Sequence, residues 1–285
     1  MEEAIKKAHV LIEALPYIKA FHNKITVIKY GGSILGEDRV RRGVLEDIVF
    51  LSYMGLRPVL VHGGGPNISD RIRKLGKKTD FVDGMRVTDA ETLKIVEEEL
   101  VKLNEQIVRE IKELGGNSKG FIAANCIIKA KKKKAKQDLG LVGEIVSVDN
   151  DALEKEIRRS SIPVICPMGK DEKNCVYNIN ADEVASFVAS SLRAEKFVLL
   201  TNVRGIMRNI EDSSSFLGSI TKQEAQRLVN ENIIQQGMIP KVQACFQAID
   251  GGVKKAHIVD ARITHALLLE IFTDQGIGTE IVKES

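Results

Sequence analysis

Lys29 stands at the mouth of a glycine turn, Lys29-Tyr30-Gly31-Gly32-Ser33, and a second such turn, His62-Gly63-Gly64-Gly65-Pro66, follows it in the chain. Glycines placed after a strand let the backbone approach an anion and aim N–H groups at it. Ligands of open parallel sheets bind beyond the carboxyl ends of the strands, so two glycine turns on successive strands, one with a lysine, read as phosphate chemistry. Lys241 follows Gly237-Met238-Ile239-Pro240, in the first turn of an expected helix. The helix dipole disfavours a cation there, and a bound anion accounts for its place. Asn178-Ile179-Asn180-Ala181-Asp182 sets a polar cluster ahead of an apolar helix, where helix capping and a place in a cleft are both open. Arg86 in Asp83-Gly84-Met85-Arg86-Val87-Thr88 offers a planar fork for a carboxylate. Each residue has a plainer reading as well, a snorkelling lysine or a surface arginine. Neither GxxxxGK[ST] nor GxGxxG occurs, and the scattered histidines imply no Ser-His-Asp arrangement.

These residues need a scaffold that brings them together. Ile25 to Tyr30, Pro58 to His62, Ile162 to Cys166, Phe197 to Thr201 and Ala256 to Val259 are nearly all apolar. Strands of that kind are covered on both faces. Helical stripes alternate with them, the longest running Leu93, Val96, Leu100, Leu103, Ile107, Ile111, Leu114. Thr88 with Glu91, and Thr221 with Glu224, have capping-box spacing. Gly115-Gly116 and Gly251-Gly252 are stops, and Pro240 suits a first helical turn. The expected fold is a three-layer α/β/α sandwich around a mainly parallel sheet. A leading helix with Ile5, Ala8, Ile12 and Leu15 on one stripe, ended by Pro16, needs a surface to cover. The six lysines between Lys129 and Lys136 read as a solvated hairpin or loop, and no aromatic residue interleaves with them as nucleic-acid binding would want.

The chain has 285 residues, 44% apolar and 28% charged, with a formal net charge of +3. That bounds it to one large two-lobed domain or two modest ones and gives no case for a nucleic-acid partner. Cys126, Cys166, Cys175 and Cys245 form no CxxC pair, and no histidine stands at zinc-ligand spacing. No apolar run approaches the ~20 residues of a membrane span, and the Met-Glu-Glu start lacks a signal-peptide core. The expectation is a soluble cytoplasmic protein with reduced thiols and no membrane partner.

Taken together, VIKYGGS, VHGGGP, DGMRVTD, NINAD, GMIPK and HALLLEIFTDQGIGT stand in the order found in the acetylglutamate kinases of the amino-acid kinase family, and the resemblance runs from about Leu15 to Val282. It implies transfer of a phosphoryl group from ATP, with Mg²⁺, to the side-chain carboxylate of N-acetyl-L-glutamate. By motif, Lys29 and Lys241 match the lysines that stabilise the transferring phosphoryl group, and Asp182 the carboxylate that orients them. Gly64, Gly65, Arg86 and Asn178 match the acetylglutamate site. Gly31 and Gly32 match the phosphate turn, and Thr201 and Gly205 the nucleotide-binding lobe. The resemblance divides the chain into an oligomerisation helix (1–20), an acetylglutamate lobe (21–176) and an ATP lobe (177–285).

LIEALPYIKAF resembles the extra helix of the arginine-inhibited members, in which such helices interlace dimers into a hexamer, a trimer of dimers. Tyr17, His257, Glu270 and Gly276 match positions of their L-arginine site; the plainer reading leaves His257 at a strand and Glu270 on the surface. Some relatives bind a PII protein, which the residues do not decide. Asn202 replaces the family's common aspartate, and Gln236 the first glycine of its GGMIPK. A kinase of another acidic amino acid and a non-catalytic arginine sensor are the alternatives.

Overall fold

The computed structural model describes residues 1–31, 37–82, 84–209, 211–273 and 276–283, with backbone alone at 4, 7 and 236. The first half of the chain forms α1 (Glu2–Glu13), α2 (Leu15–Phe21), β1 (Ile25–Tyr30), α3 (Asp38–Tyr53), β2 (Arg57–His62), α4 (Gly65–Lys74), β3 (Phe81–Val82), β4 (Met85–Arg86), α5 (Ala90–Glu113), β5 (Ser118–Phe121), β6 (Ile128–Lys132) and β7 (Gly143–Val148). The second half forms α6 (Asn150–Arg158), β8 (Ile162–Ile165), β9 (Met168–Lys170), β10 (Val176–Asn178), α7 (Ala181–Ser191), β11 (Lys196–Thr201), β12 (Ser219–Thr221), α8 (Lys222–Asn230), α9 (Ile239–Asp250), β13 (Lys255–Asp260), α10 (Ala266–Ile271) and β14 (Thr279–Val282).

The main sheet has the order β12-β14-β13-β11-β1-β2-β8-β5. Its pairings from β13 to β5 are parallel, and only β13 and β14 meet antiparallel. Successive residues of each inner strand enter opposite cores, because side chains alternate across a sheet. Val27, Val59, Phe197 and Ile258 pack with Val184 and Val188 of α7 and with Val242 and Cys245 of α9. Ile28, Leu60, Val198 and Val259 pack with Leu45 and Ile48 of α3 and with Ile107 and Ile111 of α5. Both faces of the sheet are covered, which makes the expected α/β/α sandwich. A smaller sheet, β10-β9-β6-β7, joins the first of these cores.

Two local expectations shift. Thr88 does not cap α5. Its backbone bridges residue 140 and its hydroxyl donates to the Arg86 carbonyl, so Asp89 takes the cap and its carboxylate accepts from Thr92 N–H at 2.7 Å. Pro16 does more than end α1: it sits in the first turn of α2, where its missing N–H costs nothing. Thr221 caps α8 as expected, accepting from Glu224 N–H.

The lysine-rich segment forms β6 and its turn, with Lys131 paired to Glu144, Lys132 to Asp138 and Lys133 to Glu183. Helix α1 stands away from both cores, with Val10, Leu11 and Ile12 each more than 60% exposed. No helix among the described residues is long and apolar enough to cross a membrane.

Phe197 is fully buried between Val27 and Ala256 at the centre of the sheet. Phe197→Ala is expected to lower unfolding free energy by about 3–5 kcal/mol, read from urea denaturation. A loss below ~1 kcal/mol would contradict this core assignment.

Candidate active site

The parallel register sets Lys29 beside Val61 and Leu199, one residue short of the carboxyl end of β1. Alternation puts its side chain on the same face as Val27, toward α7 and α9. The first turns of those helices supply Asp182 and Lys241. Lys29 Nζ lies 2.8 Å from Asp182 Oδ1, and Lys241 Nζ lies 3.6 Å from Oδ2. Burial pushes the Asp182 carboxyl up, but the two ammonium groups outweigh it and hold the pKa below the usual carboxylate range. The carboxylate also offsets the unfavourable dipole at Lys241. The polar cluster divides its labour: Asn180 caps α7, accepting from the Asp182 and Glu183 N–H groups, which leaves the Asp182 side chain for the lysines.

The glycine turns meet here. A Cβ on Gly31 would lie 2.5 Å from Lys29 Nζ, so the ammonium occupies the space that a side chain at 31 would need. Gly64 caps α4, and its missing Cβ makes room for Leu100, whose Cδ2 would otherwise be 2.6 Å away. Gly65 begins that helix with open space before it. Gly32 lies outside the described residues, as does Asp83 of the Arg86 motif.

Lys29, Gly64, Gly65, Arg86, Asn178 and Asp182 all line one cleft of about 220 Å³. Arg86 is buried; Nη2 donates to Gly65 O at 3.1 Å and Ser69 Oγ at 2.8 Å, and the guanidinium lies over Phe81, 4.8 Å from the ring centroid. Its Nη1 is buried without a hydrogen-bond partner, a donor suited to a ligand oxygen. Burial lowers the Arg86 pKa, yet a guanidinium remains charged at neutral pH. Asn178 Nδ2 donates to Thr88 Oγ1 at 3.2 Å. The cleft therefore combines the Lys29 ammonium, a buried guanidinium and a helix N-terminus, a set that binds anions, while Lys241 reaches it through the shared Asp182 carboxylate.

Thr201 ends β11, buried, with its hydroxyl 3.5 Å from Asn202 Oδ1. Gly205 lies outside the 220 Å³ cleft. Its φ of +141° and the 2.5 Å that would separate a Cβ from Thr279 Oγ1 make it a packing point on β14.

Tyr17, His257, Glu270 and Gly276 line one separate cavity of about 860 Å³ on the other side of β11 from β1. His257 Nδ1–H donates to Glu270 Oε1 at 2.6 Å, and both are buried. Burial depresses His257 more than that bond raises it, so the imidazole is neutral. Glu270 Oε2 accepts from Ile277 and Gly278 N–H at 2.7 and 2.9 Å. At φ +58°, Gly276 leaves no room for a Cβ beside that carboxylate. Sequence reasoning missed Lys196, Arg204, Lys255 and Glu280 in this cavity. Charged residues at strand ends have no periodic signal that separates them from ordinary surface.

The family profile "Amino acid kinase family" matches residues 24–260. The acetylglutamate kinase of Caldanaerobacter subterraneus subsp. tengcongensis is 48% identical over 99% of this chain and 95% of its own length. That of Desulforamulus reducens is 44% identical over the full length of both. Among solved structures, the N-acetylglutamate synthase of Neisseria gonorrhoeae, complexed with coenzyme A and N-acetyl-glutamate, superposes with a TM-score of 0.89 at 26% identity over 98% of this chain. The chain spans 64% of that synthase, which has also been solved complexed with coenzyme A and L-arginine (TM-score 0.85, 25% identity). Two lysines on one buried aspartate beside paired glycine turns, and full-length identity near one half, agree: this chain belongs to the amino acid kinase family and, within it, to the acetylglutamate kinases.

Proposed function

We propose that the chain phosphorylates the side-chain carboxylate of N-acetyl-L-glutamate, with Lys29 and Lys241 stabilising the transferring group and Asp182 holding them in place. The observation that carries this reading is the convergence of two ammonium groups on one buried carboxylate at the mouth of a small cleft. The nucleophile has an ordinary pKa near ~4.3 and is ionised at neutral pH, so no base is required. The obstacle is charge: a carboxylate must approach a polyphosphate. As the new O–P bond forms and the bond to the β-phosphate oxygen breaks, negative charge builds on the equatorial and leaving oxygens. Lys29, Lys241 and the N–H groups of Gly31 and Gly32 are assigned to it.

Asp182 is an organiser, because a carboxylate that two ammonium groups hold in its charged form is a poor proton acceptor. Arg86, Asn178, Gly64 and Gly65 are assigned to acetylglutamate; the orphan Nη1 of Arg86 is the donor for its backbone carboxylate. Among the described residues no three His, Cys, Asp or Glu side chains converge as a metal site. Mg²⁺ is assigned to ATP as part of that substrate, as the family resemblance implies. In this reading 21–176, joined by Asn178 from the second lobe, supplies acetylglutamate binding and 177–285, including Thr201 and Gly205, supplies ATP binding.

A second site is favoured by one observation: the four residues matched to an arginine site, dispersed from 17 to 276, share a single cavity. Glu270 accepts from His257 and two N–H groups, whereas the Glu280 side chain, 21% exposed, pairs with Lys255 at 2.8 Å and accepts from Ser219 Oγ at 3.2 Å. The more exposed Glu280 is assigned to a guanidinium, with Lys196 and Lys255 assigned to a ligand carboxylate. We assign L-arginine there as inhibitor, and α1, with its exposed apolar residues, to packing between copies in a homo-oligomer.

Three measurements test these assignments. Lys29→Ala is expected to lower kcat by about 10²–10³-fold while nucleotide affinity changes far less; equal losses in both would reject its role. Asp182, depressed in the folded state, contributes stability that is present above its unfolded pKa near 3.8 and is lost as pH falls through its lower folded value. The stability gap between wild type and Asp182→Asn should accordingly narrow from pH 7 to pH 3 in urea titrations, and a pH-independent gap would refute the ionised cluster. Calorimetry should show arginine binding that Glu280→Gln weakens by at least about tenfold, as loss of a charged hydrogen bond implies. Unaltered binding would remove Glu280 from the site.

A further inference from the structure

The fully buried His62 ends β2 and abuts Gly63-Gly64-Gly65, yet none of the roles above uses it. Its ring makes two contacts: Nδ1 lies 2.9 Å from Gly63 O, and Nε2 lies 3.0 Å from Asn104 Nδ2. A carbonyl oxygen only accepts, so Nδ1 carries the proton and Nε2 accepts from the Asn104 amide. The second Asn104 amide hydrogen goes to Val164 O at 3.0 Å. Every polar atom of the imidazole is then satisfied by a neutral ring in one tautomer, and burial, which lowers the His62 pKa to about 4, keeps it neutral at physiological pH.

The bond to Gly63 O has a geometric consequence. A trans peptide sets C=O and the following N–H in opposite directions. With Gly63 O drawn inward by the ring, the Gly64 N–H is turned the other way. Gly63 N–H is already committed to Tyr30 O at 2.8 Å. Gly64 caps α4, and the N–H groups at a helix start lack intrahelical acceptors. Helix α5 backs the turn twice on one face: Leu100 fills the space beside Gly64, and Asn104, one turn later, holds the ring. Behind Asn104, Gly120 is kept small because a Cβ there would collide with Asn104 Oδ1.

We propose that His62, locked by Asn104, is a positioning residue that fixes the Gly63–Gly64 peptide so that the Gly64 N–H meets the acyl-amino acid in the cleft. The proposal rests on the assignment of Gly64 to acetylglutamate. His62 touches neither substrate in this scheme; it acts through one peptide plane. Its loss should appear in the KM for acetylglutamate and leave the nucleotide side untouched, which general loosening of the fold would not do.

The test is steady-state kinetics of the full chain with each substrate varied, alongside thermal melts. His62→Leu removes both ring contacts. His62→Asn retains an amide donor close to the position of Nδ1. His62→Leu is expected to raise the KM for acetylglutamate by roughly three- to tenfold, the worth of one hydrogen bond, with the KM for ATP within about twofold. His62→Asn should recover most of that loss. Should His62→Leu not fold, Asn104→Ser, which leaves the His62 ring intact and withdraws its Nε2 partner together with the bond to Val164 O, is expected to raise the same KM severalfold. The proposal is overturned if the folded variants leave both KM values unchanged, if the two rise together in step with a falling melting point, or if His62→Asn behaves as His62→Leu. Wild-type protein inert toward acetylglutamate would instead defeat the assigned activity, and that control is read first.

Discussion

An aspartate buried beneath a sheet would ordinarily be protonated or displaced, because taking a carboxylate out of water costs several kcal/mol unless partners offset it. Asp182 stays ionised because Lys29 and Lys241 reach it from two elements far apart in the chain. The dependence runs both ways. Two ammonium groups near each other repel, and the shared carboxylate lets them sit together. Strand order, helix placement and capping all serve this arrangement: β1 at the sheet centre delivers one lysine, α9 the other, and the Asn180 cap leaves the Asp182 side chain unoccupied. Preorganised charge of this kind needs no reorganisation when the reaction charge develops.

Glycine has a different purpose at each turn. At Gly31 the absent side chain is replaced by the Lys29 ammonium; at Gly64 it is replaced by Leu100 from α5. At Gly65 nothing fills the space, and the N-terminus of α4 opens on the cleft. The polar relay from Asn104 through His62 to Gly63 connects this mouth to the interior of the sheet. Hydrogen bonds buried in that way are strong and orient what they hold.

The second cavity lies on the opposite flank of β11, where His257 of β13, Glu270 of α10, Gly276 beyond that helix and Tyr17 of α2 meet. Lys29 on β1 and Lys196 on β11 belong to neighbouring strands, so the two sites share the centre of the sheet.

By itself the sequence determined the layered α/β architecture, because continuous apolar runs such as Ile25 to Tyr30 and Phe197 to Thr201 suit only strands covered on both faces. It determined the glycine turns, the helix stops and the family, through strings too long to arise from periodicity alone. Local pattern left Lys29, Lys241 and Asp182 as separate residues with plain alternatives, which only the family resemblance joined, and it misplaced the α5 cap by one position because the bridge from Thr88 to residue 140 is not a local event. Only the tertiary structure brought both lysines against one carboxylate, at 2.8 and 3.6 Å, made Asn180 and not Asp182 the cap, and placed Lys196 and Glu280 in the second cavity. The reason is physical. Local pattern reports which face of an element is apolar, whereas convergence of charges depends on strand order and register, and these are settled by the packing of the whole chain.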